Sequence, residues 1–134
     1  MPRQEALNIL REISTQVDES TSKWMPDTYI QSSLPEVVTR PWSFMLRYPL
    51  SSGSAILVKI ARHEEMSLAQ AVSEKALLER TEREFEMLSK IAYVFQSKNG
   101  ENEFCFVHPL GIFPDWNALA MEELDAQMLK EYLL

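Results

Sequence analysis

Residues 64–96 run without a glycine or a proline and are rich in Glu, Leu, Ala and Met. Such a stretch has strong helical preferences and no breaker, so it predicts one long helix or two nearly continuous ones, stopped at Ser97-Lys98-Asn99-Gly100. A helix of that length needs something to lie on, because it is too polar to be buried all round. At about 100° per residue, Leu77, Thr81, Glu84, Phe85, Leu88, Ile91, Ala92 and Phe95 form one stripe. Glu84 falls inside that stripe, about 40° from Leu88, while Glu82 and Glu86 fall outside it.

The surface on which the helix rests is read from the flanking segments. Residues 2–18 predict an amphipathic packing helix, with Pro2 in its first turn and Leu7, Leu10, Ile13 and Val17 at helical spacing. Pro26, Pro35 and Pro41 punctuate a connector from Ser20 to Pro41 that ends in a short strand at Glu36–Arg40. Ser43–Leu50 and Ala55–Arg62 read as a hairpin turning through Ser51-Ser52-Gly53-Ser54. Beyond the long helix, Phe104–Val107, Leu110–Phe113 and Ala118–Glu122 are strand-like, the last two flanking Pro114-Asp115-Trp116-Asn117, and Ala126–Leu134 is helical in composition. The pattern is an α+β fold with an antiparallel sheet.

Composition narrows the function. At 134 residues, 46% hydrophobic and 25% charged, the chain has the make-up of one folded domain. A net charge of −7 argues against a general nucleic-acid or anionic-membrane binder. No apolar run of about 18 residues is present to span a bilayer. Met1–Glu5 lacks the apolar core of a signal peptide, and a single cysteine, Cys105, cannot form an internal disulfide; both imply a reducing cytoplasm. His63, His108 and Cys105 are too few for a structural zinc site, and Cys105, between two phenylalanines, reads as a small apolar core residue. Trp24, Trp42 and Trp116 read as core or turn aromatics, and Glu64-Glu65 and Glu122-Glu123 as solvated acids. Residues 37–62 carry Arg40, Arg47, Lys59 and Arg62 and no acid, which makes them the place to look for an anionic ligand.

Two charges stand where charges are costly. In Ile56-Leu57-Val58-Lys59-Ile60-Ala61, alternation sets Lys59 on the face of Leu57 and Ala61 and opposite Ile56, Val58 and Ile60. Neither face is plainly solvent. An inward glutamate on the helix and a lysine within a strand are each disfavoured unless they meet, so Lys59 and Glu84 are expected to pair with the helix packed on the sheet.

With that pairing, the sequence resembles the small N-terminal lobe of the protein-kinase-like fold, in the aminoglycoside and choline phosphotransferase branch. Ile56-Leu57-Val58-Lys59 is similar to the lysine strand, and Glu82-Arg83-Glu84-Phe85-Glu86-Met87-Leu88 to the helix carrying the partner glutamate. Pro109-Leu110-Gly111 and Ala118-Leu119-Ala120-Met121-Glu122-Glu123-Leu124 resemble the fourth and fifth strands leading to the interlobe hinge. The resemblance covers about residues 36–134. It implies a sheet of about five strands with one long packed helix at 36–124, preceded by an N-terminal helix and connector at 1–35 and followed by the start of a post-hinge helix at 125–134.

The resemblance also implies ATP as the ligand. Lys59, held by Glu84, would take the phosphates, with Leu57 beside it. Met121 would be the gatekeeper-like position, and the Glu122 carbonyl and Leu124 amide would face the adenine edge. Ser43 would donate to a phosphate where kinases use a Gly-rich loop, which is absent here and replaced by Arg40-Pro41-Trp42-Ser43. Neither a His-Gly-Asp nor an Asp-Phe-Gly motif occurs, so the chain holds no catalytic or metal-binding residue of that reaction. It is expected to lack the C-lobe, to need one for Mg²⁺ and for transfer, and to be inactive alone. Its hinge and terminal helix are expected to favour self-association or a C-lobe-bearing chain. The competing expectation is a non-catalytic interaction domain on the same sheet and helix, contacting its partner through Met128, Leu129, Tyr132, Leu133 and Leu134.

Overall fold

The first helix runs further than its apolar spacing suggests. In the computed structural model, which describes residues 2–99 and 108–123, α1 spans Pro2–Trp24. Its buried stripe is Ile13, Ser14, Val17 and Thr21, so two hydroxyl residues continue the face that apolar residues begin. Both are satisfied within the helix: Ser14 Oγ donates to the Leu10 carbonyl at 2.6 Å and Thr21 Oγ1 to the Val17 carbonyl at 2.7 Å. Polar residues that bond backward in this way are invisible to a search for apolar periodicity. Pro26 then ends the helix, and Asp27 turns the chain with φ 64°.

Five strands follow the expected segments: β1 Glu36–Arg40, β2 Ser43–Pro49, β3 Ala55–Ala61, β4 His108–Phe113 and β5 Ala118–Glu122. They form one antiparallel sheet in the order β1-β2-β3-β5-β4. Between β3 and β4 lie α2, Leu68–Ser73, and α3, Ala76–Asn99. The glycine-free run therefore makes two helices. Ser67 opens α2 with a capping box to Gln70, and Glu74, in extended conformation, separates it from α3. The expected Phe104–Val107 strand and Ala126–Leu134 helix lie outside the described residues.

Strand alternation divides the sheet into two unlike faces. Phe44, Leu46, Tyr48, Ile56, Val58, Ile60, Ala118 and Ala120 line one of them and form the main core with Ile13 and Val17 of α1 and Leu68 and Ala71 of α2. Tyr48 is fully buried there, and its hydroxyl meets Ser14 Oγ at 2.9 Å, fastening α1 to the sheet. On the opposite face stand Met45, Arg47, Leu57, Lys59, Leu119 and Met121, and α3 packs against this side of β3 and β5, and against β4.

Asn117 locks the helices to the strands. In the left-handed conformation, φ 52°, it ends the 3₁₀ turn Pro114–Trp116 that leads into β5. Its side-chain amide donates to the Ala71 carbonyl at 2.9 Å, near the end of α2, and to the Glu74 carbonyl at 2.7 Å, which also accepts from the Leu77 amide at 3.0 Å. Its own carbonyl accepts from Thr81 Oγ1 at 3.1 Å. One residue thus sets α2 and α3 against β5, which fixes where Glu84 can reach.

Candidate functional site

Lys59 and Glu84 meet. Lys59 Nζ donates to Glu84 Oε1 at 2.7 Å, and the two side chains are 29% and 28% exposed, enough for a polar ligand to reach them. The stripe on α3 is as expected at Leu77 and Thr81, which are buried, and at Glu84, Phe85 and Leu88, which are half-buried. Glu82 and Glu86 are exposed. Ile91, expected to point inward, is 38% exposed.

Cross-strand register sets the neighbours of the pair. Lys59 stands between Met45 on β2 and Leu119 on β5, and the next row along the same face is Arg47, Leu57 and Met121. Leu57 and Met121 are therefore direct partners beside Lys59, giving an apolar floor next to a cation. Ser43 lies on the same face opposite Ala61, one row beyond Lys59 and at the β1–β2 turn; it is buried, and its hydroxyl makes no hydrogen bond among the described residues. Glu122 ends β5 opposite Ile56, half-buried, and Leu124 lies outside the described residues, as do Cys105 and the terminal apolar residues Met128–Leu134.

A second ionic group on this face has no counterpart in the sequence reading. Arg47 Nε donates to Glu123 Oε2 at 2.6 Å, and Arg47 Nη1 is 4.0 Å from Glu36 Oε2, so one guanidinium ties β1, β2 and the end of β5 together. Glu123 is accordingly paired and half-buried, not a solvated acid. Its amide also donates to the Ala55 carbonyl at 2.9 Å, extending the β3–β5 ladder past Glu122. The alternation of Arg47 with Met45 and with the half-buried positions of β3 was the available signal; its partner was set by a non-local pairing that sequence spacing does not reveal.

The acid-free stretch 37–62 does not make an open basic patch. Arg47 and Lys59 are paired with acids from other elements. Arg62 is buried, 4.7 Å above the Phe44 ring, and its Nη1 donates to the Arg40 carbonyl at 3.0 Å, bracing the β1–β2 turn. Arg40 alone of the four stands exposed without an acid partner among the described residues. Trp42, expected as a core or turn aromatic, sits in that turn and is exposed, whereas Trp24 and Trp116 pack on Phe113.

Among the described residues, no group of three His, Cys, Asp or Glu side chains is placed to hold a metal ion, and no helix is long and apolar enough to cross a membrane. Comparison with known proteins assigns the chain to no family: no family model, no curated protein and no solved structure matches it.

Proposed function

We propose that the chain binds ATP on the sheet face that carries Lys59, as the small lobe of a kinase-like phosphotransferase. The observation that carries this reading is the Lys59–Glu84 ion pair, made between the third strand and the long helix packed on it. A β3 lysine steadied by a helix glutamate presents an ammonium group at a fixed place for the α- and β-phosphates of a nucleotide. Leu57 and Met121, side by side in the adjoining row, supply an apolar floor suited to a flat purine. In this reading the Glu122 carbonyl and Leu124 amide take the adenine edge, and Ser43 donates to a phosphate oxygen.

Binding is proposed without transfer. Phosphoryl transfer needs acids that hold Mg²⁺ and orient the acceptor hydroxyl, and the sequence contains neither motif that supplies them. Glu84 is engaged with Lys59 and Glu123 with Arg47, so neither stands free for that work. Mg²⁺ and turnover would come with a C-lobe, for which the hinge end of β5 and the terminal residues are the natural contact. A nucleotide ligand and a single cysteine agree with a cytoplasmic setting.

Calorimetric titration with ATP tests the reading. Weak binding that is lost in Lys59→Ala, with γ-phosphate release at background in both proteins, is the expected result. Equal affinity in the two proteins would remove Lys59 from the site, and turnover by the purified chain that depends on Lys59 would overturn the proposed division of labour.

A further inference from the structure

We propose that β1 is a homodimerisation edge, on which a second copy of this chain adds its own β1 antiparallel about a two-fold axis at Val38. This inference is independent of the nucleotide reading. β1 is an outer strand of the sheet, and all five of its residues are exposed. Val37 and Val38 are 43% and 50% exposed, flanked by Leu34 at 44% and Trp42 at 56%. β1 pairs with β2 in unbroken register, with no bulge to twist the edge away, and its flanking prolines limit it to one strand length.

The backbone selects the register. Arg40 and Ser43 close a two-residue turn, so Arg40, Val38 and Glu36 direct their N–H and C=O groups at β2, and by alternation Val37 and Thr39 direct theirs at the open edge. Two copies related by an axis at Val38 set Val37 of each against Thr39 of the other, which makes every outward donor and acceptor of β1 meet its complement. Moving the axis to Val37 would set Thr39 against Pro35, and moving it to Thr39 would set Val37 against Pro41; in both cases a proline offers no N–H.

The side chains obey the same symmetry. About Val38 the segment reads outward as Val37 and Thr39, Glu36 and Arg40, Pro35 and Pro41, Leu34 and Trp42. Each Glu36 therefore faces Arg40 of the second copy, an opposite-charge cross-strand pair made twice. The flanking prolines end the ladder after one strand length, so the pairing closes on two copies in place of propagating. Self-complementary charge makes a second copy the occupant of this edge in preference to an unrelated peptide.

Sedimentation equilibrium over a range of concentrations tests the interface. The wild-type chain is expected as a reversible dimer. Arg40→Glu leaves two acids on the edge and Glu36→Arg leaves two bases, and each is expected to weaken self-association about tenfold. An equimolar mixture of the two variants restores opposite charges at both pairs and is expected to associate as tightly as wild type. Thr39→Pro removes an outward N–H at an edge where proline is tolerated, and is expected to abolish the dimer while an unchanged circular dichroism spectrum shows the fold intact. A wild-type chain that is monomeric throughout, a dimer that survives Thr39→Pro, or a mixture no tighter than its separate components would overturn the proposal.

Discussion

Lys59 on β3 and Glu84 on α3, 25 positions apart in the chain, bring their charged groups to 2.7 Å on the half-open face of the sheet. Neither charge is deeply buried, so the pair positions the lysine more than it stabilises the fold. A double-mutant cycle with Lys59→Met and Glu84→Gln, followed by urea unfolding, should give a coupling energy of about 0.5–1 kcal/mol. Additive effects would show that the two side chains do not interact in solution.

Asn117 should matter far more for stability. Replacing it by alanine removes its bonds to the Ala71 and Glu74 carbonyls at the break between α2 and α3 and leaves a Cβ residue at φ 52° without the local bonding that suits asparagine there. Asn117→Ala is expected to cost about 2–4 kcal/mol in urea unfolding. The bond that the Asn117 backbone carbonyl accepts from Thr81 is kept in that variant and removed in Thr81→Val, which is expected to cost less, about 1 kcal/mol, in the same measurement.

Gly111 lets α1 approach β4. A Cβ there would lie 2.8 Å from Cζ2 of Trp24, whose ring is also held against Phe113 at 5.9 Å. Gly111→Ala should therefore destabilise by about 1–3 kcal/mol, measured by thermal or urea unfolding. The double variant Gly111→Ala with Trp24→Phe should recover part of that loss, since the smaller ring vacates the space; no recovery would place the strain elsewhere.

Tyr48 gives the fold an alkaline limit. Burial pushes its hydroxyl up to about 12 from the ordinary 10, with the Ser14 hydrogen bond pulling more weakly the other way. Below pH 10 the group is protonated in folded and unfolded chains alike and adds no pH dependence. Between pH 10 and 12 the unfolded chain releases this proton and the folded chain retains it, so stability falls with rising pH, by about 2–3 kcal/mol over the interval. In Tyr48→Phe that part of the alkaline slope should vanish, which the difference between the two proteins' unfolding curves at pH 9 and pH 12 measures.

Much of this architecture is legible in the sequence because it follows from local rules. β1 coincides with Glu36–Arg40 since prolines bound it on both sides, and the β2–β3 hairpin is announced by a serine-rich turn with Gly53 at φ 96°. The inward position of Glu84 follows from helical periodicity, and that of Lys59 from strand alternation. What stays hidden is non-local. The break between α2 and α3 is consolidated by Asn117 from another element, the core face of α1 is completed by Ser14 meeting Tyr48 of β2, and Arg47 acquires Glu123 only through the placement of β5 against β3. The basic stretch 37–62 misleads for the same reason, since the acids that neutralise it come from outside the stretch.

Whether the Lys59 face receives a nucleotide is read from the backbone amide resonances of the ¹⁵N-labelled chain during titration with ATP. Shifts concentrated at Leu57, Lys59, Met121 and Glu122, saturating in wild type and lost in Lys59→Ala through removal of a charge-assisted contact worth about tenfold or more in affinity, are the result predicted. No saturable shift, or the same pattern in Lys59→Ala, would contradict it.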